Sequence, residues 1–184
     1  MKLVRDIFKI KQLTLQKEEE NWGFRTFLKS CGIPAKKIDH IVHRLNEQIS
    51  PLIDCSTCGN CCKEILPVLK DSDIETMAGV LKMSTGDFKK KYLVKDDDRE
   101  GYTFNTTPCP FLENNRCSIF NSRPGDCRSY PHLHKSEFSS RTIGVIHNCS
   151  ICPIVYNVYE KLKLKIWAMD EIDDSHKKRK KIRI

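Results

Sequence analysis

The apolar positions change register along the chain, and the register predicts the elements. Near the N-terminus Trp22, Phe24, Phe27 and Leu28 recur at near-helical spacing, and Ile38, Ile41, Val42, Leu45 and Ile49 share one face of a second helix. Gly32-Ile-Pro34 separates the two, with Pro34 suited to the first turn of the second, so residues 1–50 read as a helical hairpin that packs on the cysteine-rich middle of the chain. Ile65-Leu-Pro-Val-Leu69 is short, apolar and contains a proline, which suits an edge strand or an extended lead. Asp71-Ser-Asp73 opens a capped amphipathic helix carrying Ile74, Met77, Val80 and Leu81, and Ser84-Thr-Gly-Asp-Phe88 opens a shorter one ending near Tyr92-Leu93. Beyond the polar loop at Asp96-Asp-Asp98 the pattern turns to strands. Tyr102-Thr-Phe-Asn-Thr106, Cys117-Ser-Ile-Phe120 and Thr142-Ile-Gly-Val-Ile146 are β-branched or aromatic runs bounded by turn residues. From Pro153 to about Met169, the positions of Val155, Val158, Tyr159, Leu162, Ile166 and Trp167 predict a final amphipathic helix.

Composition then asks what holds these elements together. Apolar residues make up 39% of the 184-residue chain and charged residues 30%, against an apolar share of about 45–50% in average globular chains. Ten cysteines compensate for this thin core, nine of them between positions 55 and 152 and only Cys31 apart. Disulfides and metal compete for such thiols, and the compartment decides between them. The N-terminal segment has neither an apolar signal core nor a small-residue cleavage site, and Glu18-Glu-Glu20 argues against a transit peptide. No stretch approaches the roughly 18 apolar residues of a membrane-spanning helix. A cytoplasmic location, no transmembrane segment and thiolates held by metal are therefore expected. Structural zinc contributes on the order of 10 kcal/mol to folding, so the middle of the chain is expected to unfold without its metal. The resulting fold class is α+β, a small irregular metal-organised domain with flanking helices and a few short antiparallel strands. Its organisation reads as an N-terminal helical extension (1–50), a cysteine-cluster metal-binding domain (51–153), a C-terminal helix packing on it (154–176) and a basic tail (177–184).

The chemistry concentrates in Cys55-Ser-Thr-Cys58-Gly-Asn-Cys61-Cys62. A CxxC turn lets both sulfurs reach one metal, and Gly59 can take positive φ so that backbone N–H groups face sulfur, which makes Cys55 and Cys58 the most secure ligand pair. Cys58 to Cys61 repeats the spacing, but the fourth cysteine comes at once, unlike the bacterial ferredoxin run. Adjacent side chains diverge, so Cys61 and Cys62 either serve two metals or leave one thiol spare. Tetrahedral zinc and cubane clusters each take four ligands, so the thiol count favours two ions or a cluster plus an ion over one site with several merely buried cysteines. His132 and His134, flanking Leu133, and His147 are weaker candidates to complete a mixed site, while His40 and His43 read as ordinary helix-surface residues. No Walker loop, GxGxxG or nucleophile elbow is present.

These residues resemble the zinc- or iron-chelating cysteine-cluster proteins, the CxxCxxCC or YkgJ-type family. The likeness rests on the 55–62 run, Pro108-Cys-Pro-Phe-Leu112, Arg116-Cys-Ser-Ile-Phe120, Asn121-Ser-Arg-Pro124, Cys127-Arg-Ser-Tyr-Pro131 and the late Cys149, and covers roughly residues 53–153. The resemblance implies a metal set of Cys55, Cys58, Cys61, Cys62, Cys109, Cys117, Cys127 and Cys149. Cys152 is extra to that pattern, and Phe120 stands where the family often has tyrosine. A related domain occurs in flagellin lysine methylases, which links the resemblance to iron–sulfur chemistry and leaves an enzymatic role open, with no catalytic residue indicated.

The charge of +8 refines this reading, because eight ionised thiolates would cancel it. Arg123 and Arg128 are well placed to support thiolates electrostatically, against the alternative of surface ion pairs. Much of the surplus lies in Lys177-Lys-Arg-Lys-Lys181 and Arg183, a tail that reads as solvated and disordered, or as a weak contact for nucleic acid or an anionic surface. Three functions are consistent with the sequence: a metal-binding protein holding an iron–sulfur cluster or zinc or iron ions, with an unknown protein partner; a metal-dependent modifying or redox enzyme; and a zinc-structured adaptor with a nucleic-acid-binding tail.

Overall fold

A computed structural model describes residues 3–181, with side chains described through Met169. In chain order the elements are α1 (Ile7–Gln16), α2 (Glu18–Ser30), α3 (Ala35–Ile49), α4 (Cys55–Cys58), α5 (Cys61–Glu64), α6 (Asp71–Val80), α7 (Thr85–Tyr92), β1 (Leu93–Lys95), β2 (Tyr102–Phe104), β3 (Leu112–Glu113), β4 (Arg116–Cys117), α8 (Gly125–Ser129), α9 (Thr142–Cys149) and α10 (Pro153–Lys181). The result is a small α+β protein, mostly helical, with short antiparallel strands in two small sheets. Its chain forms two compact units. One combines the chain up to Ile53 with the chain from Leu133 onward, and the other is Asp54–His132.

The first unit is helical. Asp6 starts α1 by accepting a hydrogen bond from the Lys9 backbone N–H at 2.7 Å, and α2 carries Glu18, Glu19 and Glu20 in its first turn, where the helix dipole favours negative charge. The expected hairpin thus contains an additional helix, since α1 and α2 meet at Lys17. In α2 the buried stripe is Asn21, Phe24 and Leu28, leaving Trp22 exposed, whereas α3 buries Ile38, Ile41, Val42, Leu45 and Ile49 as its periodicity predicts. Gly32 takes φ of +69°, and Pro34 stands just ahead of α3 as its cap. Helix α10 presents Val155, Val158, Tyr159, Leu162 and Ile166 to this core, with Phe24 meeting Tyr159 and Trp167 edge-on at 5.5 and 5.3 Å. Lys163 is 2% exposed, bonded to Glu20, Glu160 and the Asn21 side chain. Arg183 lies outside the described residues, and so do the side chains of Lys177 to Lys181, so the tail expectation falls outside the described part of the chain.

The segment 142–146 corrects a sequence expectation: it is helix, not strand. Its buried positions are Thr142, Val145, Ile146 and Cys149, a spacing of three, four and seven that belongs to a helical face. Packing in this unit overrides the β-preference of its branched residues.

In the second unit, Ser84 caps α7 by accepting from the Asp87 N–H at 3.0 Å while donating to the Asp87 carboxylate at 2.6 Å. Strands β1 and β2 pair antiparallel with Leu93 opposite Phe104, and Leu69 bridges the outer side of β2 at Tyr102, so 65–69 is an extended lead. Strands β3 and β4 form a two-residue ladder closed by Asn114 and Asn115, both at positive φ as a type I′ turn demands. The expected 117–120 strand ends at Cys117, because the chain turns to bury Ile119 and enters a 3-10 turn at Phe120–Ser122. The core gathers Leu69, Ile74, Met77, Phe88, Leu93, Phe104, Phe111 and Ile119, with Cys109 and Cys117 packed against it. Among the described residues no helix is long and apolar enough to cross a membrane.

Candidate metal centre

Short, locally capped segments deliver the cysteines of the second unit. Asp54 accepts from the Ser56 N–H at 2.9 Å and the Ser56 hydroxyl at 2.7 Å, starting the single turn α4. The Ser56 hydroxyl and N–H hold the Asp54 carboxyl below the usual carboxylate range. Gly59 ends the turn at φ +59°, ψ 2°. A Cβ there would stand 2.6 Å from the Asn115 carbonyl oxygen, so only glycine lets the CxxC turn sit against the β3–β4 turn. Just beyond, the Cys109 N–H donates to the Cys62 carbonyl at 2.7 Å. Two backbone contacts thereby lash the 55–62 run to the segments that carry Cys109 and Cys117.

Helix α8 delivers Cys127. Its first residue, Gly125, donates its N–H to Asp73 at 2.8 Å, and Asp126 accepts from the Val68 N–H at 3.1 Å. Asp73 also accepts from the Lys70 N–H at 3.1 Å, so one carboxylate anchors the starts of α6 and α8 together.

These segments border a partly open cavity of about 180 Å³ lined by Cys55, Cys61, Cys62, Cys109, Cys117 and Cys127. Phe104, Phe111, Ile65 and Ile119 supply its apolar wall, and Arg123, Arg128, Asp126 and His132 its polar groups. Cys58 is half-buried beside Cys55 but does not line the cavity. Sequence reasoning ranked it with Cys55 because spacing alone cannot say which side of a four-residue turn faces inward.

The thiols act on one another. Burial pushes Cys127 up to about 12, with Cys62, Cys109 and Cys117 adding to the shift. Burial likewise raises Cys109 to about 11, with Cys62 and Cys117 contributing, and raises Cys117, again with Cys62. The Cys55 thiol is raised by burial and by Cys58, with Arg123 opposing. Cys62 goes the other way, to about 7, because the Cys61 thiol hydrogen-bonds to it and its backbone N–H and Arg123 favour the thiolate against burial. Cys62, Cys109, Cys117 and Cys127 are thus a mutually interacting set. Among the described residues, no three cysteine, histidine or carboxylate side chains close around a single point as a finished coordination sphere. The donor chemistry nonetheless fits zinc or iron, which thiolates bind, and one χ angle per cysteine redirects each sulfur.

Of the remaining candidates, all but His132 belong to the helical unit. Cys149 and Cys152 are buried in the helical unit; the Cys149 thiol is pushed far up by burial, with Glu160 adding, Lys163 opposing and Cys152 adding. Cys31 is half-buried in the same unit, its thiol donating to the Leu28 carbonyl at 3.7 Å. His134 and His147 are exposed there. His132 does reach the cavity, but its ring nitrogens face Ser129 Oγ at 2.9 Å and Asp126 at 3.3 Å. The tie from Asp73 to α8, the anchor at Asp126 and the Asn114-Asn115 turn are not among the features the sequence suggested. Of these only the Asn-Asn pair carried a readable turn signal.

The family model CxxCxxCC, described as a "putative zinc- or iron-chelating domain", matches residues 54–150, more than half of the chain. No curated protein and no solved structure matches it.

Proposed function

The chain belongs to the CxxCxxCC zinc- or iron-chelating domain family, and from that premise we propose that the Asp54–His132 unit holds a thiolate-bound centre of more than one metal ion, with Cys62, Cys109, Cys117 and Cys127 as its principal ligands and Cys55 and Cys61 at its edge. The observation that carries this reading is the convergence of six cysteines, from separate segments, on one cavity. One tetrahedral ion or one cubane core takes four of these six thiols and leaves two over. Two bridged ions, or a core with a further ion, use the surplus. Anaerobic purification followed by metal analysis and absorption spectroscopy tests this. The expected result is at least two metal equivalents per chain, with charge-transfer absorption if the metal is an iron–sulfur core. One colourless equivalent, or none, contradicts it.

A further inference from the structure

The guanidinium of Arg123 lacks the acidic partner that a half-buried cation ordinarily has. It lines the cavity, and among the described residues no carboxylate forms an ion pair with it. What holds it is neutral: Nη1 donates to the Phe120 carbonyl at 2.8 Å, and the group lies over the Phe120 ring at 3.7 Å from its centroid. The backbone carbonyl of Arg123 accepts from Arg128 Nη1 at 2.5 Å, while the other arm of Arg128 meets Asp73 at 3.9 Å. The two arginines therefore differ in role: Arg128 has a carboxylate partner, whereas Arg123 has none and shares the cavity with the cysteine sulfurs.

Those sulfurs come from three elements. Cys55, Cys62 and Cys117, delivered by α4, α5 and β4, line the same cavity that Arg123 lines. A divalent ion held by four thiolates carries a net charge of about −2, and an iron–sulfur core ligated by four thiolates is likewise anionic. A partly buried anion of that size needs a fixed cation close by.

We propose that Arg123 is the built-in counter-ion of the loaded metal–thiolate centre, a positioning residue whose charge, aimed by the Phe120 stack, sets how tightly the metal is retained. This rests on the chelation reading above. Stacking suits guanidinium, whose flat face packs on an aromatic ring while its edge stays free to direct charge into the cavity.

The test uses the full chain loaded with zinc and a chromogenic chelator in competition, comparing wild type, Arg123→Gln and Arg123→Lys at low and high salt. Arg123→Gln is expected to surrender zinc about tenfold more readily, in the range seen when groups supporting metal ligands are removed. Arg123→Lys, which keeps the charge but loses the carbonyl bond and the flat stack, is expected to recover most of that loss, and the gap should narrow as salt screens the charge. Zinc retention unchanged in Arg123→Gln overturns the proposal. So does an Arg123→Lys variant as leaky as Arg123→Gln, since then the Phe120 contacts and not the charge matter. Should Arg123→Gln fail to fold, Arg123→Lys decides alone: near-wild-type retention supports the proposal and a tenfold loss defeats it. A wild type that takes up neither zinc nor iron overturns the chelation reading along with this one, whereas normal loading with charge-independent retention defeats this one only.

Discussion

At the scale of single residues, Gly59 is the tightest of the eight glycines. Its φ of +59° would cost an alanine about 1–2 kcal/mol, and the added Cβ would also press into the Asn115 carbonyl at 2.6 Å. Gly59→Ala is therefore expected to lower the melting temperature of the loaded protein and weaken metal retention together. Gly79→Ala, in helix α6 with open space around its Cβ, should be neutral or stabilising by up to about 1 kcal/mol. Equal melting temperatures for the two variants contradict the clamp between Gly59 and Asn115. The thiols make a second prediction. With Cys109 near 11, Cys127 near 12 and Cys117 also raised, all three are protonated at neutral pH in the metal-free protein. Each must lose its proton to bind, so zinc uptake at pH 7 should release at least three protons per centre, measurable in weak buffer. Fewer would mean that these thiols are not ligands. The sequence singled out the cysteines as candidate donors, but their spacing did not show which of them line the cavity. Cys62→Ala is expected to abolish metal loading, read by metal analysis, and Cys31→Ala to do little, because Cys62 lines the cavity and Cys31 belongs to the helical unit.

At the scale of elements, Asp73 ties two helices whose starts are 54 positions apart in sequence, at Asp71 and Gly125. Asp73→Ala removes the hydrogen bonds from Lys70 and Gly125, and lost caps cost about 1 kcal/mol each. The variant should unfold about 2 kcal/mol more easily and loosen Cys127, read by faster thiol labelling in the metal-free protein. Unchanged labelling of Cys127 would show that α8 is held by something else. The elements around it were mostly readable: α3, α6, α7 and the β2 strand follow from periodicity and capping residues. The 142–146 segment was not. Two of its five residues, Ile143 and Gly144, are exposed, and a run that short satisfies both the strand and the helix period until its neighbours choose.

At the scale of the whole molecule, two units with different cohesion follow from the composition. The helical unit buries a continuous apolar face and a charged cluster around Lys163, where the hydrogen bond from Lys163 holds the Glu20 carboxyl below its ordinary value, against burial. A depressed carboxyl contributes stability above its unfolded value of 4.5 and loses it only as pH falls through the lower folded value. Thiolates bound to metal regain their protons earlier, since apparent affinity falls up to about tenfold per pH unit for each displaced proton. Acidification should therefore release metal first and melt the helices later, as two separated transitions followed by absorbance and circular dichroism. A single coincident transition contradicts this. The sequence showed a thin apolar composition, yet not that the chain up to Ile53 and the chain from Leu133 onward join in one unit, because such long-range partnership leaves no periodic mark. The most direct test of the account is X-ray absorption at the metal edge of anaerobically purified protein. The account predicts a first shell of sulfur near 2.3 Å with a second-shell metal–metal scattering path. A first shell of nitrogen and oxygen, or sulfur around an isolated ion, would contradict it.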